Sequence, residues 1–205
     1  MRAARSLTLA IFVFAALLVQ PAPASTASPA IVSKLENVAY YLKTVPDDTG
    51  TGLPFADFRR SSVSTDTRTG IAQLRLRSRK SGEISVVTFR VFGSPADARR
   101  EFANIKGSWP LPAASSTEMD DGGTFDFDYG KEKYPFEAVA QYSRVLGEEA
   151  AVCRAVVGSS IISATASMPF AGRSFDTSDR AFVGLRDKVA ELVDVGIWYT
   201  PVPAL

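Results

Sequence analysis

Arginine is the residue type whose spacing most clearly suggests binding chemistry in this 205-residue chain. Arg75, Arg77 and Arg79 occupy alternate positions, and Arg90 follows in the next apolar segment. Alternate residues of a strand share one face, where their side chains stand roughly 5–7 Å apart. The planar guanidinium group suits carboxylates and phosphates. We therefore predict an anion-binding face; the alternative is a solvated face that nearby Asp and Glu neutralise. Its predicted residues are Arg75, Arg77, Arg79 and Arg90, with Arg59 and Arg60 as further candidates.

Four aspartates surround a glycine pair: Asp120, Asp121, Asp126 and Asp128. Closely spaced carboxylates and flexible backbone can bind Ca²⁺, but the spacing does not fit an EF-hand loop. Two carboxylates that face each other across a cleft can hydrolyse glycosides, and Glu137 is a further candidate for such a pair. We prefer the simpler interpretation of a solvated loop and strand edge, so we predict no metal site.

Aromatic residues form a third group, and they fall partly near predicted loops and the ends of elements. Exposed aromatic rings can stack on sugars or anchor a protein partner, although they more often fill the rim of a core. The candidates are Tyr40, Tyr41, Trp109, Tyr129, Tyr134, Phe136, Trp198 and Tyr199. The single cysteine, Cys153, lies in an alanine-rich segment, and we expect it to be a buried, inert thiol.

Several chemistries are excluded by residues that the chain lacks. It has no histidine and one cysteine, which removes Ser-His-Asp and Cys-His catalysis, His-ligated zinc and all-cysteine metal or redox centres. It has no G-x-S-x-G or S-x-x-K motif, and neither a P-loop nor a dinucleotide fingerprint is complete. We therefore predict that the protein is not an enzyme and carries no cofactor.

The arginines must be positioned by a β-hairpin. Residues 70–79 alternate between apolar and polar, residues 84–92 are apolar and β-branched, and Ser81-Gly82 lies between them. A two-residue loop there would pair Leu76 with Val87, Leu74 with Phe89 and Ala72 with Val91 on the buried face. The arginines would then lie on the opposite face.

Periodicity and turn residues predict the remaining elements. A second hairpin turns at Gly158-Ser159 and pairs Ala155 with Ile162, Cys153 with Ala164, and Ala151 with Ala166. Its small-residue face would admit a helix. We predict three helices. The first covers 31–43, and the second begins at Ser94 and Pro95. The third covers 179–193, with Asp176 or Ser178 as its N-terminal cap. Predicted strands cover part of 55–66, 124–129 and 137–145, and residues 109–123 read as a surface loop.

Strands, a hairpin and then a helix thus occur twice. The predicted fold class is α+β: an antiparallel sheet built from two strand-hairpin-helix units, with the helices on one face and an additional N-terminal helix.

The N-terminal segment contains the successive parts of an export signal. Arg2 and Arg5 precede an apolar run from Leu7 to Val19, and Ala22-Pro23-Ala24 fits a cleavage site. Cleavage after Ala27 is the second option. The predicted organisation is a signal peptide over 1–24, a flexible leader over 25–30, one domain over 31–199 and a tail over 200–205. The mature chain would be nearly neutral, which gives no drive toward nucleic acid.

These observations favour an exported, periplasmic or secreted bacterial protein that contacts the membrane only through its signal peptide before cleavage. We expect a non-catalytic binding or accessory module of the cell envelope that recognises an anionic small molecule or an acidic protein surface. The alternatives are a hydrolase with paired carboxylates and a structural envelope protein that docks a partner through aromatic rim residues.

Overall fold

The computed structural model describes residues 27–47, 58–108, 119–126, 133–143, 148–169 and 180–200. Three helices and seven strands lie within these ranges. In chain order they are α1 (Pro29–Leu42), β1 (Phe58–Asp66), β2 (Ile71–Ser78), β3 (Ile84–Val91), α2 (Pro95–Ile105), β4 (Met119–Asp126), β5 (Lys133–Ser143), β6 (Glu148–Val157), β7 (Ser160–Pro169) and α3 (Arg180–Tyr199). The predicted α+β class is confirmed. The predicted signal peptide, the first two residues of the leader, the candidate caps of α3 and nearly all of the tail lie outside the described residues.

The strands form one antiparallel sheet in the order β1-β2-β3-β7-β6-β5-β4. Strands β1–β3 make one meander and β4–β7 make another, and the pairing of β3 with β7 joins them. The first meander leads into α2 and the second into α3. The finer description as two strand-hairpin-helix units stays a prediction.

The main core lies between one face of the sheet and the helices α1 and α3. Apolar residues at every second strand position point into it, such as Leu74, Phe89 and Ile162, all fully buried. Leu35 of α1 and Val189 of α3 close it from the other side.

Helix α2 packs on the opposite face, so the prediction that all helices share one face is wrong. Ala98 and Phe102 of α2 form a separate cluster with Val156 of β6 and Ile161 of β7. These two strand residues alternate with Ala155 and Ile162, which belong to the main core. The centre of the sheet is therefore covered on both sides.

The β2–β3 hairpin differs from its predicted register by two residues. Leu74 pairs with Val87 and Ala72 with Phe89, because the loop has four residues rather than two. Ser78 still donates its N–H to the carbonyl of Glu83 at 2.9 Å, and Gly82 takes the left-handed conformation with φ of 71°. A shift by an even number of residues keeps each side chain on its predicted face.

The β6–β7 hairpin has the predicted register throughout. Ala155 pairs with Ile162, Cys153 with Ala164 and Ala151 with Ala166. Helix α3 packs on these two strands, as the small side chains predicted.

Helix α2 begins where the sequence predicts, whereas strand β4 begins inside a predicted loop. Ser94 caps α2, since its Oγ accepts the N–H of Asp97 at 3.2 Å. Helix α1 buries Leu35, Val38 and Leu42. The predicted loop over 109–123 is wrong at its end, because β4 begins at Met119 and includes the glycine pair. Pairing with β5 over eight positions overrides the loop-like composition there.

Candidate functional site

The face of β1–β3 that points away from α1 and α3 has no helix packed on it in the described part of the chain, and α2 reaches only its far end, where Glu101 contacts Arg90. We call it the open face. On β2 the residues Gln73, Arg75 and Arg77 lie on it, between the buried residues of the opposite face. Val86 and Thr88 continue it onto β3. The open face results from the topology, since α2 packs over β6 and β7 instead.

Arg75 and Arg77 stand next to each other on the open face, and both are exposed. Two strand residues at this spacing have Cα atoms about 7 Å apart. Arg75 lies between Ser62 of β1 and Val86 of β3. Arg77 donates from Nη1 to the carbonyl of Gly82 at 3.4 Å. No carboxylate among the described residues forms an ion pair with either guanidinium group.

The other two predicted site residues do not join this pair. Arg79 lies in the four-residue loop beyond the end of β2 and is exposed. Arg90 lies opposite Ile71 at the far end of the open face, about 13 Å along the strands from Arg75. Its Nη1 contacts Glu101 Oε1 of α2 at 2.6 Å, and its guanidinium carbon lies 5.2 Å from the centre of the Phe92 ring. Arg90 is therefore neutralised within the fold.

The two further candidates, Arg59 and Arg60, lie on β1 and bind groups of the fold itself. Arg60 forms an ion pair with Asp47 at 3.4 Å and donates from Nε to the carbonyl of Val45 at 2.8 Å. Arg59 is only 3% exposed and donates from Nη1 to the carbonyl of Phe58. Neither side chain is available on the open face.

A shallow groove lies at the end of the open face beside the β1–β2 turn. Its volume is about 320 Å³. The lining residues are Ser64, Thr65, Asp66, Thr69, Ile71 and Gln73. Asp66 accepts bonds from Thr69 Oγ1 and from the N–H of Arg68, both at 2.9 Å, and these bonds lower the pKa of its carboxyl. Asp66 therefore holds the turn, while Ser64 and Gln73 lead from the groove toward Arg75.

The predicted acidic residues are divided among different surroundings. Asp120, Asp121 and Asp126 belong to β4, and Asp128 lies outside the described residues. Glu137 is fully buried. Its Oε1 contacts Arg154, and its Oε2 accepts the N–H of Gly107 at 2.9 Å. Oε2 of Glu137 thus holds the residues that follow α2 against the sheet, and Oε1 joins the neighbouring strands β5 and β6. Among the described residues, no group of three or more His, Cys, Asp or Glu could hold a metal ion.

Cys153 lies under α3, and its Sγ is buried. Burial raises the pKa of its thiol to about 12, and the nearby charge of Glu137 acts in the same direction. At neutral pH this thiol is protonated, and a protonated thiol is a poor nucleophile.

The aromatic candidates are dispersed. Tyr40 of α1 is 66% exposed and Trp198 of α3 is 36% exposed, whereas Tyr134 is buried. Trp109 and Tyr129 lie outside the described residues.

No helix in the described ranges is long and apolar enough to cross a membrane.

Sequence reasoning missed a second cleft, which lies between α1 and the β1–β2 hairpin. Glu36, Tyr40 and Lys43 line it at helical spacing. This spacing was visible in the sequence, but Thr65 of β1 and Thr67 of the β1–β2 turn, which face it, lie more than twenty residues further along the chain.

Comparison with known proteins gives no relative. No protein-family model matches the chain, and no curated protein or solved structure is significantly similar to it.

Proposed function

We propose that this protein is an exported, non-catalytic binding module of the bacterial cell envelope, and that its open face contacts an anionic ligand or an acidic partner. The observation that carries the proposal is the pair Arg75 and Arg77, which stand exposed and side by side with no carboxylate of the described residues paired to them. The signal-like segment over 1–24 supports export.

The contrast with other arginines makes this pair informative. Several arginines of the described chain have a carboxylate partner: Arg60, Arg90, Arg100, Arg154 and Arg186. Two guanidinium groups on residues whose Cα atoms lie about 7 Å apart repel each other weakly in water. An anion bound between them would relieve that repulsion and accept charge-assisted hydrogen bonds from both.

The neighbouring side chains suit such a contact. Ser62 and Ser64 of β1 and Thr88 of β3 can supply hydroxyl groups. Ile84, which lies opposite Arg77 and is 45% exposed, adds apolar contact area. The face is flat and open, which favours an extended polyanion or a protein surface over a small molecule that needs an enclosed cavity.

The first test is titration calorimetry of the mature protein with polyphosphate and with polyglutamate at low ionic strength. We expect R75E/R77E to weaken binding by at least about tenfold, because each arginine then repels the ligand that it had bound. The matched control is R99E/R100E, which makes the same charge change on the exposed side of α2.

The control should retain most of the affinity of the natural protein. Equal losses in both variants would show that only net charge matters, and that result would refute a site on the open face. Absence of binding to either polyanion would refute the anionic ligand itself.

A further inference from the structure

The cleft between α1 and the β1–β2 hairpin has the size and lining of a small-molecule site. Its volume is about 360 Å³, within the range of roughly 300–1,000 Å³ that such sites occupy. Leu35 and Ala39 of α1 form its apolar floor. The residues above this floor are Glu36, Tyr40 and Lys43 from α1, and Thr65 and Thr67 from the hairpin.

Tyr40 is the main feature of this cleft. It is 66% exposed, although the removal of an aromatic ring from water is favourable. Tyr41 packs edge-on against it, with ring centres 5.3 Å apart and planes at 83°. This contact restricts the orientation of the Tyr40 ring, so that an apolar surface is held ready at the cleft.

The polar groups of the cleft balance in charge. Glu36 supplies a carboxylate, Lys43 supplies an ammonium group, and neither forms an ion pair with a described residue. Thr65 and Thr67 supply hydroxyl groups from the opposite wall. The cleft therefore offers hydrogen-bond donors and acceptors on both sides without favouring a charged ligand.

We propose that this cleft binds a neutral saccharide. One face of a pyranose ring carries C–H groups that can stack on Tyr40, while the ring's edge carries hydroxyl groups that both donate and accept hydrogen bonds. The hydroxyl groups would bond to Glu36 and Lys43 on one side and to the threonines on the other. This site is independent of the open face, whose ligand is anionic.

The test is a nuclear magnetic resonance titration of the mature protein, with labelled tyrosine rings, against maltotriose and the trisaccharide of N-acetylglucosamine. We expect saturable shifts of the Tyr40 ring with at least one of them. Tyr40→Ala should weaken binding by about tenfold, because the stacking surface is lost, whereas Tyr40→Phe should retain most of the affinity.

Asn37→Ala is the matched control, since Asn37 is exposed on the same helix but does not line the cleft. It should bind like the natural protein. Circular dichroism checks that each variant is folded. Absence of saturable shifts with both sugars would overturn the proposal, and so would unchanged affinity in a folded Tyr40→Ala variant. The variant R75E/R77E should bind sugar normally, so that failure at one site is distinguishable from failure at the other.

Discussion

At the scale of single residues, Asp194 is a carboxylate in surroundings that disfavour its charge. It lies half-buried on α3, one turn after Glu191, and its charge acts on the thiol of Cys153. Burial raises the pKa of Asp194 above its usual value of 3.8, and the charge of Glu191 raises it further. The folded state therefore binds a proton at Asp194 more tightly than the unfolded state does.

This difference sets the sign of a pH dependence. Below the unfolded pKa both states are protonated; as the pH rises through the folded pKa, ionisation favours the unfolded chain. We expect Asp194→Asn to be more stable than the natural protein at pH 7 and to lose this advantage below about pH 4. Urea unfolding at both pH values measures it.

The control for this substitution is Asp187→Asn, on the same helix. Asp187 is 63% exposed and contacts Arg186 at 3.0 Å, so its removal should not stabilise the protein at pH 7. An Asp194→Asn variant that is equally or less stable than the natural protein at pH 7 would contradict the argument.

From the sequence we could predict which face of the sheet carries the arginines, but not which of them remain unpaired there. Alternation in β2 and β3 places Arg75, Arg77 and Arg90 opposite the core, whatever the register. The ion pair between Arg90 and Glu101 depends on where α2 packs, and no local pattern reports that position. Arg79 shows the second limit, because the length of the hairpin loop decides whether a residue belongs to a strand or a turn.

At the scale of elements, α3 approaches the sheet so closely that one position admits only glycine. A Cβ atom at Gly196 would lie 2.9 Å from Phe89 Cζ, 3.1 Å from Val87 Cγ1 and 3.3 Å from Ile162 Cγ2. All three side chains are fully buried, so they have little room to retreat. The small-residue face of β6 and β7 makes the same close approach possible along the helix.

We therefore expect Gly196→Ala to destabilise the protein by about 1–3 kcal/mol, since overpacking outweighs the gain of up to about 1 kcal/mol in helix propensity. The matched control is Gly184→Ala on the same helix, where an added Cβ meets nothing within 4 Å. That variant should be slightly more stable. Denaturant unfolding of both variants measures the difference, and a Gly196→Ala variant as stable as Gly184→Ala would refute the close packing.

The elements also show why sequence reasoning succeeded in one hairpin and not in the other. Gly158-Ser159 is a two-residue turn between two apolar runs, and its register follows directly from that length. Residues 79–82 could form a loop of two or four residues, and both choices bury the same side chains. The sequence analysis did not predict which side of the sheet α2 covers. Val156 and Ile161 nevertheless lie in apolar runs, which are typical of strands that are buried on both faces.

At the scale of the whole molecule, the two meanders depend on each other. Strand β3 pairs with β7 over five positions, and α3 contacts β3 as well as β5, β6 and β7. Helix α2 follows the first meander in the chain, but its buried residues pack on Val156 and Ile161 of the second. Each half therefore supplies part of the core of the other, and one domain over 31–199 stays the prediction.

This dependence predicts that a fragment comprising residues 27–108 does not fold alone. In the fragment, β3 lacks its β7 partner, α2 has no sheet surface to cover its apolar side, and the core loses every contact with α3. The apolar surface that remains to be buried is too small to offset the entropy of ordering the chain. We expect narrow amide dispersion in its nuclear magnetic resonance spectrum and no sigmoidal unfolding.

The mature protein should instead unfold in one transition, at which tryptophan fluorescence and far-ultraviolet circular dichroism coincide. A fragment with dispersed signals and its own cooperative transition would show that the first meander is a separate folding unit, and the single-domain description would then be wrong.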